Sequence, residues 1–160
     1  MRILFVSPGF PPMIGGGERY AYELAAELVQ RGHDLTIVTT NARREADFWR
    51  WRLRPGKSEI SREEGLTVIR CPVPGIPGNR AALLAWRKTM ILLSALRGDR
   101  TRLLARMSRL VPRIVALERS LGALGTFDIV HVFNLSWEHA TVAGHCWAQA
   151  RGVPLVVTPF

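Results

Sequence analysis

The sequence predicts an α/β fold: a Rossmann-like parallel sheet with helices on both faces. Two observations carry that prediction. Strand-forming segments recur at Arg2–Ser7, Asp34–Thr40, Leu66–Cys71, Asp128–Phe133 and Val153–Thr158, the first of them an apolar run without alternation. Strands covered on both faces read this way, whereas a half-solvated strand alternates. In addition, strand, glycine-rich loop, helix and strand succeed one another within the first 40 residues. That is a βαβ unit, and its crossover implies parallel pairing.

Taken in order, Arg2–Ser7 is the first strand, and Pro8 to Gly17 is a loop dense in proline and glycine that can neither extend a strand nor start a helix before its last residues. From Glu18 the spacing turns helical, with Ala21, Leu24, Ala25 and Leu28 on one face and Gly32 as the stop. Asp34–Thr40 is the second strand. Asn41–Glu64 is polar and reads as a loop with a short helix around Phe48–Pro55. Leu66–Cys71 is the third strand, followed by the breaker-rich Pro72–Gly78. Two helices are expected next, divided near Gly98 and Asp99. In the second, Leu103, Met107, Leu110, Ile114, Leu117 and Leu121 keep a four-three spacing, and Pro112 should kink or split it. Asp128–Phe133 is the fourth strand, Trp137–Ala150 a helix, and Val153–Thr158 the fifth strand.

At 160 residues the chain fits one domain, and its 48% apolar and 22% charged composition is ordinary for a soluble globular protein. The apolar run at the N-terminus breaks at Ser7-Pro8-Gly9, too early for a signal peptide or a membrane span. Cys71 and Cys146 are far apart and support no disulfide framework, so a cytoplasmic location is the expectation. No histidines or cysteines show metal-ligand spacing, and no metal is expected. His139 and His145 read as packing or surface residues of a helix.

The net charge of +9 is local. Residues 80–125 carry ten basic and two acidic side chains, while residues 1–79 sum to +2 and residues 126–160 to −1. One reading is a pair of amphipathic helices with solvated arginines. The other is a peripheral membrane surface for anionic lipids, joined by the Trp49-Arg50-Trp51-Arg52 cluster. No recognition motif accompanies the basic field, so nucleic acid is not an expected partner.

Ligands of open parallel sheets collect at the C-terminal strand ends. The loop after the first strand, Asn134-Leu135-Ser136 and Pro159-Phe160 should converge there. Gly15, Gly16 and Gly17 precede a helix whose first amides lack internal acceptors, which suits a diphosphate or another anion. The triplet also reads as a plain turn. It matches neither the spaced glycines of a dinucleotide site nor a Walker loop.

The order of Arg2 to Pro8, Pro11-Pro12, Gly15-Gly16-Gly17-Glu18, Glu23-Leu24-Ala25 and Leu28 to Thr39 closely resembles the retaining glycosyltransferases of family 4. Asp128-Ile129-Val130-His131 and Val153 to Pro159 match in kind and order. The resemblance covers roughly 1–40 and 126–160. It implies the N-terminal half of a two-domain GT-B fold, with residues 1–160 forming the acceptor-side domain and the donor-binding domain lying outside them. It further implies a nucleotide-diphosphate sugar as donor substrate, a sugar or lipid-linked acceptor, and no cofactor. Gly15, Gly16 and Gly17 would meet the donor diphosphate, and Glu18, Phe10 and Asn134 the substrates. His131 is the candidate catalytic residue, although an interior strand histidine also reads as a packed one. Phe133 stands where the family has a second histidine. Without a donor domain the chain should be inactive alone, and an uncovered cleft face would leave apolar surface open to association, a homodimer being one option that sequence leaves undecided. The alternative is a non-catalytic module that binds a membrane or an anion.

Overall fold

The structure is a computed structural model and describes residues 1–53, 56–63, 65–110 and 112–160. The expected strands form as β1 (Arg2–Val6), β2 (Asp34–Thr40), β4 (Leu66–Cys71), β5 (Ile129–Phe133) and β6 (Leu155–Thr158), joined by β3 (Glu59–Glu63). The sheet order is β3-β4-β2-β1-β5-β6. All neighbours pair in parallel except β3 with β4. β1 lies between β2 and β5 with its residues packed into a core on each face of the sheet, which explains its continuous apolar sequence.

The two faces are separate cores. Ile3, Phe5, Leu35 and Ile37 pack under α1 (Gly16–Gln30), which contributes Ala21 and Ala25. Leu4, Val6, Val130 and Val132 pack on the opposite side, under α4 (Val115–Gly122) and α5 (Glu138–Arg151). Successive residues of a strand point to opposite faces, so one strand serves both cores. Gly144 lets α5 approach closely, because a Cβ there would sit 2.7 Å from a Val132 methyl. Trp147 Nε1 donates to the Leu121 carbonyl at 2.8 Å, tying α5 to α4.

The reading of Asn41–Glu64 needs correction. Its short helix is a single 3-10 turn at Glu45–Phe48, and Glu59–Glu63 is not loop but the antiparallel edge strand β3. Every residue of β3 is exposed. With neither face buried, the strand shows no apolar periodicity, and only its hydrogen bonds to β4 define it. Arg54, Pro55 and Glu64, also within that reading, lie outside the described residues.

Residues 80–125 form α2 (Asn79–Ser94), α3 (Thr101–Ser108) and α4, so Pro112 splits the second expected helix. The predicted four-three stripe is accordingly broken. Ile114, Leu117 and Leu121 are buried, but Leu103 and Leu110 are 43% and 49% exposed. A helix interrupted at Pro112 need not keep one face in register across the break. Trp86 Nε1 donates to the Met107 carbonyl at 3.2 Å and holds α2 against α3.

Candidate functional site

The C-terminal edge of the sheet is built around the loop from Ser7 to Gly15. Its backbone is fastened to the strands: Thr40 Oγ1 donates to the Pro8 carbonyl at 2.6 Å, and Arg70 Nη2 to the Pro11 carbonyl at 2.8 Å. Ser7 Oγ closes the first turn on the Gly9 carbonyl at 2.6 Å. The loop therefore delivers the glycine triplet to a defined place.

Gly15 caps α1 in an extended conformation, and the first helical bond runs from Arg19 N to the Gly15 carbonyl at 3.1 Å. The amides of Gly16, Gly17 and Glu18 thus have no acceptor within the helix. Gly16 faces open space, with nothing within 4 Å of where a Cβ would project. Gly17 does not, since its Cβ would lie 2.9 Å from Cδ2 of Phe160. Tyr20 on α1 meets Phe160 edge-on at 5.5 Å, so the segment after β6 rests against the start of α1.

Glu18 is only 9% exposed, and its carboxylate is folded back beneath the loop. A Cβ on Gly9 would stand 2.6 Å from Glu18 Oε1, and one on Gly15 would collide with the same carboxylate. Gly9 and Gly15 therefore leave the room that Glu18 occupies. The role of Gly9 was not legible in sequence, because it depends on a side chain nine residues away folding back.

Phe10 is a core residue, 3% exposed and packed with α1 near Tyr22. Its ring packs in the core on the α1 side of the sheet. Asn134 adopts a left-handed conformation at φ 67, and its Oδ1 accepts from Ser136 N at 2.6 Å. Its amide donates to the Thr158 carbonyl at 3.0 Å, closing the ends of β5 and β6 together. The three expected segments thus share one sheet edge.

His131 is half-buried between aromatic rings, stacked on Phe133 at 4.0 Å and edge-on to Phe5 at 5.3 Å. Its Nε2 lies 2.7 Å from Thr158 Oγ1, a partner that sequence reading had not singled out. Burial lowers its pKa from the ordinary 6.5 to about 4, so the imidazole is neutral near pH 7. A neutral imidazole held by one hydroxyl can relay a hydrogen bond across β5 and β6. His139 is fully buried, its Nδ1 2.7 Å from the Arg109 carbonyl, while His145 is exposed. Both fit the packing and surface roles expected of them.

The basic helices flank this edge. Arg87 on α2 lies over the Trp137 ring at 5.0 Å and 3.6 Å from the Glu138 carboxylate. Trp49 is half-buried against Trp137 at 6.2 Å, so of the expected aromatic cluster only Trp51, 49% exposed, is open to an interface. No described helix is long and apolar enough to cross a membrane.

A doubly covered parallel sheet, with a glycine turn feeding a helix at its C-terminal edge, defines the class of Rossmann-like α/β domains. The chain belongs to the glycosyl transferase 4-like domain family, which it matches over residues 15–160, from the first glycine of the triplet onward. The match includes the central segment, where the sequence resemblance was weakest. No curated protein matches the chain. Among solved structures it is similar to the crystal structure of alpha,alpha-trehalose 6-phosphate synthase from Burkholderia multivorans, at 14% identity and a TM-score of 0.42. The alignment covers 99% of this chain and 32% of that one, so this chain spans about a third of that protein's length.

Proposed function

We propose that this domain is the acceptor-side half of a retaining glycosyltransferase that uses a nucleotide-diphosphate sugar, and that it needs a donor-binding domain to work. The observation that carries the reading is the open face of Gly16, an exposed first residue of α1 with nothing within 4 Å of where a Cβ would project. In sugar transfer the leaving diphosphate gains negative charge as the glycosidic bond breaks. Preorganised amides and the positive end of a helix dipole stabilise that charge as it develops. The Glu18 carboxylate is turned under the loop, against Gly9 and Gly15, rather than into solvent. His131 and Thr158 sit below the same edge and would set its polarity without supplying a charged base.

The test joins residues 1–160 to a donor-binding domain of the same family and measures transfer from nucleotide sugars. Transfer that falls sharply in Gly16→Val supports the reading. Turnover by residues 1–160 alone, or joined activity indifferent to Gly16→Val, refutes it.

A second observation favours a peripheral membrane role for the end of α2 and the residues that follow it. Ile91, Leu92 and Leu96 are 67%, 61% and 53% exposed, beside Lys88 and Arg97. Apolar side chains among cations suit the boundary of an anionic bilayer. Sedimentation with phosphatidylglycerol vesicles should be lost on combining Ile91→Asp with Leu92→Asp. Binding that survives the pair would remove this role.

A further inference from the structure

A second hollow lies across the loop from the glycine turn, at the C-terminal ends of β2 and β4. Its volume is about 430 Å³, within the range of small-molecule sites. Arg43, Arg44, Arg52 and Arg70 line it, together with Asp47, Glu59 and uncharged groups of Pro12, Thr40 and Asn41. The residues come from four stretches of chain that only the sheet brings together.

The two carboxylates are not equivalent. Asp47 is 8% exposed, and its oxygens are already engaged. Oδ2 accepts the amides of Arg43 at 3.0 Å and Arg44 at 3.3 Å, and Oδ1 accepts Arg52 Nη2 at 2.6 Å. Burial opposes ionisation of Asp47, but those amides and the nearby guanidiniums outweigh it and hold the carboxyl below its usual range. Asp47 is therefore the scaffold that folds the turn bearing Arg43 and Arg44. Arg70 is braced from two sides, by the Pro11 carbonyl at 2.8 Å and Ser61 Oγ at 3.1 Å. Arg43 and Arg44 form no ion pair among the described residues.

We propose that this hollow binds a phosphate monoester, carried by the acceptor. Four guanidiniums against two carboxylates leave an excess of two positive charges around one cavity. A phosphate monoester carries about −1.5 to −2 near pH 7, whereas a phosphodiester or a carboxylate would neutralise only part of the excess. Guanidinium forks match phosphate oxygens in pairs, which makes arginine more selective here than lysine. The loop carrying Pro11 and Pro12 walls this hollow on one side and leads to Gly15 on the other. An acceptor anchored by its phosphate would thus extend toward the glycine turn. Calling the ligand an acceptor rests on the transferase reading; the phosphate binding does not, and it is measured without any transfer.

The 160-residue chain is titrated with glycerol 1-phosphate while its amide resonances are followed, and separately sedimented with phosphatidic acid vesicles. Expected are saturable shifts at Thr40 to Asp47 and an affinity about tenfold weaker in Arg44→Gln, the loss of one hydrogen bond to a charged group. Arg44 is exposed, so this variant should fold; Arg70→Lys, which keeps the charge and loses the fork, should weaken binding too. If only the vesicles bind, and Arg44→Gln releases them, the monoester comes from a lipid headgroup and the assignment stands. Shifts confined to Gly15 to Glu18, affinity unchanged in Arg44→Gln, or no binding of either probe overturn it. Sugar transfer by the joined domains without phosphate binding would overturn this assignment alone.

Discussion

Replacing Gly16 by alanine separates the glycine turn's structural part from its binding part. Gly16 is the first residue of α1, and its φ lies outside the left-handed region, so alanine can adopt the same backbone. The added Cβ meets no atom within 4 Å, so the native state incurs no clash. What remains is the smaller entropy of the unfolded alanine chain, about 0.4–1 kcal/mol in favour of folding. For a domain of this size that corresponds to roughly 1–4 °C in Tm. On the proposed reading the methyl would stand where a diphosphate approaches the α1 amides, so affinity for pyrophosphate should fall while stability rises. Gly17→Ala is the contrast, because its Cβ lies 2.9 Å from the Phe160 ring. That ring is 49% exposed and can swing aside, so little or no gain in Tm is expected. Differential scanning calorimetry with pyrophosphate titration reads both effects. A lower Tm in Gly16→Ala, or undiminished pyrophosphate binding at higher Tm, would refute the reasoning.

Three further outcomes follow from burial. His131 has its folded pKa lowered to about 4 from the ordinary 6.5, so between those values the unfolded chain binds more protons. Its contribution to stability is complete above the unfolded pKa and is lost as pH falls from 6.5 toward 4. Denaturant midpoints should drop over that window, less steeply in His131→Gln; an identical slope in the variant would exclude the cause. Leu117 is fully buried and Leu103 43% exposed, so Leu117→Ala should cost about 2–5 kcal/mol in urea unfolding, far more than Leu103→Ala. Equal costs would restore the single uninterrupted stripe and undo the split at Pro112. Cys71 is fully buried and its thiol is pushed up by burial, while Cys146 is partly exposed. Native-state alkylation should modify Cys146 and spare Cys71 until the chain unfolds, as peptide mapping will report.

The parallel sheet and its glycine turn were determined by sequence alone, because both have strong local causes. A strand buried on both faces must be continuously apolar, as at Ile3-Leu4-Phe5-Val6, and a helix entered through Gly15-Gly16-Gly17 announces where its unpaired amides lie. Tertiary structure alone decided matters that depend on partners distant in the chain. The strand β3 has no buried face and exists through its bonds to β4. Leu103 looked like core by spacing but lies outside, because Pro112 interrupts the helix that would have carried its register. Phe10 sits in a breaker-rich loop with no periodicity to mark it as core, yet it packs with α1 at 3% exposure. The arginine hollow escaped notice for a similar reason. Residues 1–79 sum to only +2, since Asp34, Glu23 and others offset the arginines along the chain. In space the fold gathers Arg43, Arg44, Arg52 and Arg70 around one cavity that Asp47 and Glu59 balance only in part. Charge is summed along a sequence, but a ligand responds to the charges gathered around it.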